Sequence, residues 1–99
     1  MPSAPIAYET EARLLAVLAH PARLQIVELL RHGEVCVCDM QAALGQRQAY
    51  ISQHLMALRE AGLVTCHKVG LRVYYQLSDP CLLHVLDQAQ AVSQKNSRH

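Results

Sequence analysis

Apolar residues recur at helical spacing through the first sixty positions of the chain. Between residues 8 and 19 they predict a first helix, in which Ala12, Leu15, Ala16 and Leu18 follow the helical spacing. Pro21 suits the first position of a second helix, and Gly33 suits its end. A short helix follows over "CDMQAAL", and Gly45 separates it from a longer helix over 47–60. The apolar positions that point this longer helix inward are Ala49, Ile51, Leu55 and Leu58.

The pattern changes after Gly62, where "LVTCHKVGLRVYYQL" is rich in β-branched and aromatic residues. This composition predicts a β-hairpin with its turn near Val69–Gly70. Asp79 suits the N-cap and Pro80 the first position of a last helix, which a polar tail follows. The whole chain, 1–99, is therefore expected to form one domain that is mainly α with a small β-hairpin, with flexible ends at 1–7 and 94–99. A short helix, a glycine turn, a second helix and a hairpin together predict a winged helix-turn-helix.

Composition narrows the setting in which this domain works. About half of the 99 residues are hydrophobic (52%), yet there is no Trp and no Phe, so the core is small. A small aliphatic core favours stabilisation by dimerisation. No apolar run reaches membrane-spanning length and the start does not resemble a signal peptide, so we expect a cytoplasmic protein with no membrane partner. Its four cysteines should then stay reduced.

Positive charge is concentrated in one segment, although the formal net charge is only +1. Residues 47–72 contain several basic side chains and a single acidic one, Glu60. Polar side chains on the outer N-terminal part of "RQAYISQHLMALREAG" are placed to reach base edges in the major groove, whereas basic ones suit phosphate. The predicted DNA-contacting residues are Arg47, Gln48, Ser52, Gln53, His54 and Arg59 on this helix and Lys68 and Arg72 on the hairpin. The alternative for each residue alone is a solvated surface position.

Three segments carry a resemblance to a known family: "LAVLAHPARLQIVELLRHGEVCVCDMQAALG", "YISQHLMALREAGLV" and "VGLRVYYQLSD". Together, over roughly residues 12 to 87, they resemble the ArsR/SmtB family of bacterial repressors. The resemblance implies a homodimeric winged helix whose first and last helices form the dimer interface. It also implies that the free dimer binds double-stranded operator DNA with an imperfect palindrome, and that an inducer releases the DNA.

Within that family, "EVCVCDM" resembles the ELCVCDL box of arsenic- and cadmium-type sensors. The resemblance implies that Cys36 and Cys38 bind a soft metal or metalloid. Residues two apart in a helix point to nearly opposite sides, so Cys36 must lie before the helix for both thiols to share one ion. A helix N-terminus favours the thiolate, although Asp39 opposes this. Thiolates select As(III), Sb(III), Cd(II), Pb(II) or Zn(II) over hard cations.

The chain departs from the family pattern in three places. Gln41 stands where the arsenic-type box often has a third cysteine, and residues 1–35 contain no cysteine. The family's other common site, on the last helix, is not reproduced by Asp79, Cys81 and His84. A four-ligand Zn(II) site is therefore hard to build. A two-thiol As(III) or Sb(III) site is easier, and the candidates that complete it are Cys66, Cys81, His32 and solvent, with Cys81 the candidate third ligand in the last helix.

Other interpretations of the cysteine pair remain open. Cys36 with Cys38 or Cys81 suits a repressor that responds to an oxidant or a persulfide, and the two residues also suit small buried positions. A thiol oxidoreductase is the alternative class, but the sequence contains neither a thioredoxin-like βαβ pattern nor a catalytic constellation, so we expect no enzyme. A third class is a protein-interaction module that uses the winged helix only to bind other proteins.

Overall fold

A computed structural model describes residues 6–96 of the chain. This part contains five helices and three short strands, and the predicted winged helix-turn-helix is confirmed. In chain order the elements are α1 (Glu9–Leu18), α2 (Pro21–Leu29), β1 (Val35–Cys36), α3 (Val37–Leu44), α4 (Gln48–Glu60), β2 (Val64–Val69), β3 (Arg72–Leu77) and α5 (Cys81–Asn96). None of the helices within 6–96 is long and apolar enough to cross a membrane.

The sheet has three strands, in the order β1-β3-β2, rather than the two of the predicted hairpin. Strands β2 and β3 form that hairpin, and Gly70 begins its turn with φ 61°, a conformation that residues with a side chain rarely adopt. The added strand, β1, pairs antiparallel with β3 and sets Cys36 opposite Tyr74. Two residues are too few to show an alternating pattern, so the sequence does not predict this strand.

Most helix boundaries agree with the glycine and proline signals. Pro21 occupies the first turn of α2, and Gly45 ends α3 in the left-handed conformation, with its N–H donating to the Gln41 carbonyl at 2.9 Å. The Asp79 carboxylate accepts a hydrogen bond from the Cys81 N–H at 2.9 Å, where α5 begins. Helix α5 continues through Asn96, so residues 94–96 are helical where a polar tail was expected. Residues 1–5 and 97–99 lie outside the described residues.

The inner face of α4 packs on α2 and α3 and forms the centre of the core. The side chains with at most 2% exposure include Ile26, Met40, Ile51, Leu55 and Leu58. Ala49, which was expected to point inward, is exposed. It precedes Ile51 by two residues, or about 200° around the helix, and so lies on the opposite face. The core therefore holds α4 from behind and leaves its N-terminal outer face open.

Helix α1 contacts the core along one stripe and leaves other apolar positions exposed. Leu14, Val17 and Leu18 pack against the core, whereas Ala12, Leu15 and Ala16 are exposed in the single chain. Leu15 is 53% exposed. The apolar spacing that predicted the helix was therefore correct, but it mixed core positions with an outward apolar face.

Candidate DNA interface and thiol site

The outer N-terminal part of α4 presents a set of polar side chains to solvent. Arg47 is the N-cap residue, and Gln48 and Gln53 are exposed, while Ser52 is half-buried. Arg59 is also exposed, but it lies three turns further along, about 16 Å from Gln48 at 1.5 Å per residue. The N-terminal residues are therefore placed together, and Arg59 belongs to the other end of the helix.

The hairpin places two cations close to its tip. Lys68 lies near the end of β2, and Arg72 begins β3 opposite Val69, and both cations are exposed. Between them, Leu71 is fully exposed at the turn. Sequence reasoning did not select Leu71, although its place directly after the turn glycine is a signal for an exposed tip. The tip therefore combines two charges with one apolar side chain.

His54 does not lie on the polar outer face, so its predicted role in contacting DNA is wrong. Its side chain is buried (8% exposed), because three residues after Ile51 it falls on the core side of α4. The ring Nδ1 accepts a hydrogen bond from Arg23 Nε at 3.0 Å, and Arg23 Nη1 donates to the Val17 carbonyl at 2.9 Å. The Tyr50 ring meets His54 edge-on at 4.7 Å between centroids. His54 therefore ties α4 to α1 and α2.

This arrangement makes the free energy of unfolding depend on pH. Burial lowers the pKa of His54 below its usual value of 6.5, and the charges of Arg23 and His20 add to this effect. The unfolded chain then binds the proton more readily than the folded one, so stability is lost as pH falls below 6.5 towards the folded-state pKa. We expect His54→Gln to flatten this part of the profile in urea unfolding followed by circular dichroism. The exposed control His32→Gln should leave the dependence in place, and an unchanged slope in His54→Gln would contradict the assignment.

The two cysteines lie on either side of the boundary between β1 and α3. Cys36 is the N-cap residue of α3 and is buried (3% exposed), and Cys38 lies in the first turn and is exposed. Cys36 thus lies outside the regular helix, which is the condition that lets both thiols share one ion. All four cysteines are free thiols.

The thiol environment favours one thiolate at Cys36. The Cys38 thiol, which is hydrogen-bonded to the Cys36 sulfur, lowers the pKa of Cys36, and the N–H groups of Cys38 and Asp39 at the helix start add to this effect. The same thiol–thiol contact raises the pKa of Cys38, together with burial and the negative charges of Cys36 and Asp39, while Arg72 opposes the rise. The pair is therefore asymmetric, with Cys38 acting as hydrogen-bond donor.

The cysteine pair opens into a cavity of about 390 Å³ that it shares with the proposed DNA-contacting elements. Gln48 and Ser52 of α4 line one side of the cavity, and Arg72 of β3 lines another. The sequence could not show this proximity, because these residues come from segments separated by ten or more positions. A ligand held by the two thiols would therefore lie against both α4, which we call the recognition helix, and the β2–β3 hairpin, which we call the wing.

The candidate third ligands do not join this pair. Across residues 6–96 there is no group of three or more His, Cys, Asp or Glu side chains that could hold a metal ion. Cys81 does not line the shared cavity, and its hydrogen bond to Asp79, with the charge of Asp79 and burial, raises its pKa. Within one chain Cys81 therefore does not lie beside the thiol pair, and its role as a third ligand stays a prediction. Gln41 does line the cavity, next to the thiols.

The fold and these surfaces define a winged helix-turn-helix domain of the DNA-binding class. The sequence profile described as "Bacterial regulatory protein, arsR family" matches residues 20–65. The chain belongs to this family, whose members are transcriptional regulators rather than enzymes.

Two relatives illustrate the likeness in sequence. The chain is 51% identical over 67 residues to the arsenical resistance operon repressor of Escherichia coli, covering 67% of this chain and 57% of that protein. It is 30% identical over 93 residues to the arsenical resistance operon repressor of Staphylococcus aureus, covering 94% of this chain and 89% of that protein. The chain thus matches little more than half the length of the E. coli relative.

Two solved structures illustrate the likeness in fold. A homodimeric winged helix-turn-helix DNA-binding domain from Mycobacterium bovis superimposes with a TM-score of 0.77 at 29% identity, covering 96% of this chain and 92% of that one. The AntR antimony-specific transcriptional repressor superimposes with a TM-score of 0.76 at 25% identity, covering 99% of this chain and 91% of that one.

Proposed function

We propose that this protein is a homodimeric repressor that releases operator DNA when As(III), Sb(III) or another soft metal ion binds Cys36 and Cys38. The observation that carries the proposal is the cavity that joins the two thiols to Gln48, Ser52 and Arg72. The similar proteins support it, because two of them are arsenical resistance operon repressors and one is an antimony-specific repressor. A repressor of this kind works in the cytoplasm.

A two-thiol site suits trivalent metalloids better than Zn(II). Arsenous acid, As(OH)3, reacts with two thiols to form two As–S bonds, while two As–OH bonds break and two water molecules leave. The third hydroxyl stays on arsenic, so no further protein ligand is needed. A structural Zn(II) site takes four ligands, which residues 6–96 do not bring together in one chain. Cd(II) and Pb(II) remain the alternatives among divalent ions, because thiolates prefer soft ions.

The apolar outer faces of the terminal helices support a dimer. Leu15 of α1 is 53% exposed and Val92 of α5 is 56% exposed, and burying both against a second copy would remove apolar area from water. A two-fold dimer would place its recognition helices in half-sites about 34 Å apart, which requires a palindromic operator. The M. bovis neighbour is a homodimer with the same fold.

A repressor that responds to an oxidant or a persulfide is the second candidate. The thiols of Cys36 and Cys38 share a hydrogen bond, so a sulfur species bound to one lies within reach of the other. A disulfide would form only with an added oxidant or persulfide sulfur that accepts two electrons from the thiols. This candidate uses the same residues, and only the inducer differs.

A titration of the reduced protein on a palindromic duplex tests both candidates. We expect the protein to bind the duplex less tightly as the salt concentration rises. Arsenite or Sb(III) should release the DNA at lower concentrations than Cd(II), Pb(II) or Zn(II). Release by a persulfide donor alone would overturn the metalloid proposal in favour of the redox one. Salt-independent binding, or none, would contradict the repressor and favour a protein-interaction module.

A further inference from the structure

We propose that Arg72 serves both the thiol site and the DNA interface. When a ligand binds the two thiols, the wing then loses a contact that Arg72 makes with a DNA phosphate. This inference rests on the proposed function and adds the residue through which the ligand and the DNA compete. In this proposal the ligand displaces the wing from DNA, and not only the recognition helix.

Arg72 and Cys36 lie on the same face of the sheet. Cys36 lies directly opposite Tyr74 in the β1–β3 pair, and directly opposed residues share one face of a sheet. Arg72 precedes Tyr74 by two residues and therefore lies on that same face. The short strand β1 thus places Cys36 and Arg72 on one face of the sheet, and α3, which follows directly, carries Cys38.

Arg72 also lines the cavity into which the thiol pair opens. Cys36, Cys38 and Arg72 all line it, whereas Lys68, the other wing cation, does not. Arg72 lines the cavity and is exposed to solvent near the hairpin tip, and its side chain hydrogen-bonds Tyr74 on the same face of the sheet. A guanidinium carries its charge throughout the working pH range, so its direction, rather than its protonation, decides what it binds.

These positions make the two occupants compete for one side chain. With free thiols, Arg72 can extend from the tip and neutralise a phosphate. A metalloid on the thiols lies in the cavity beside it and presents two sulfur atoms with partial negative charge and a hydroxyl that accepts a hydrogen bond. Turning the Arg72 side chain towards this group moves its guanidinium away from a phosphate beyond the tip, so loading the thiols weakens the wing contact. Lys68 keeps its phosphate contact in both states.

The test is the ratio of DNA affinities without and with saturating arsenite, measured by fluorescence anisotropy on the full chain. For the wild type we expect a ratio of roughly 5- to 150-fold. Arg72→Ala should weaken binding of the arsenite-free protein and also reduce this ratio, by roughly 2- to 30-fold. Lys68→Ala is the matched control, because it removes a wing cation outside the cavity. It should weaken DNA binding to a similar degree and keep the wild-type ratio.

The outcomes separate this inference from the proposed function. If the wild type releases DNA and Arg72→Ala keeps the full ratio, Arg72 is only a DNA contact and the inference is wrong, while the repressor remains. An equal fall of the ratio in Lys68→Ala would also overturn it, since any lost wing charge would then suffice. If arsenite does not release the wild type from DNA, the proposed function fails and the inference fails with it. Thermal unfolding of each variant verifies that the fold is intact.

Discussion

Replacing Cys36 and Cys38 together by serine should give a protein that still binds operator DNA and no longer releases it with arsenite. Neither cysteine belongs to α4 or to the core cluster behind it, whereas both are needed to form two As–S bonds. Saturating arsenite should lower the DNA affinity of the wild type by roughly 5- to 150-fold. In the double variant, the DNA affinities with and without arsenite should be about equal. Fluorescence anisotropy with and without arsenite measures both quantities on the same labelled duplex.

The matched controls for this double variant are Cys66→Ser and Cys81→Ser. Both residues are free thiols outside the shared cavity, so each variant should keep the wild-type response. Because Cys36 is buried, Cys36→Ala with Cys38→Ala provides a second version that does not introduce a buried hydroxyl. DNA release by arsenite in both double variants would show that the inducer binds elsewhere.

Two substitutions at the start of α4 should separate phosphate contacts from base contacts. Arg47→Ala should weaken binding to all DNA sequences alike and reduce the slope of log affinity against log salt by about 1, because one phosphate contact is lost. Gln48→Ala should instead lower the preference for the operator over random DNA, since a bidentate contact to a base contributes about 1–3 kcal/mol of discrimination. Affinities for both duplexes across a salt series measure these effects.

Gln25→Ala is the control for this pair, because Gln25 is an exposed residue on α2 outside the proposed interface. It should change neither the salt slope nor the sequence preference. If Gln48→Ala keeps the wild-type preference for the operator, Gln48 does not contact a base, and Ser52 and Gln53 are then the candidates for base contacts. A wild-type salt slope in Arg47→Ala would mean that Arg47 makes no phosphate contact.

His54 and Ala49 show where periodicity fails within a correctly predicted helix. Both residues belong to α4, but the sequence assigned His54 outward and Ala49 inward, and the structure reverses both. Residue type misled the assignment, since a polar ring was taken as solvent-facing and a methyl group as buried. Arg23, thirty-one positions away, supplies the hydrogen bond that lets His54 be buried. No local pattern contains that information.

The sequence by itself determined the order of the helices and the hairpin, the ends of the elements at Gly45 and Gly70, and the place of Cys36 just before a helix. These features follow from local backbone preferences and from the spacing of apolar residues, which any short segment carries. Only the tertiary structure decided that Cys36 and Cys38 share a cavity with Gln48 and Arg72, that Cys81 lies apart from them, and that β1 joins the sheet. Those relations depend on how distant segments pack against one core, so they are properties of the folded chain as a whole.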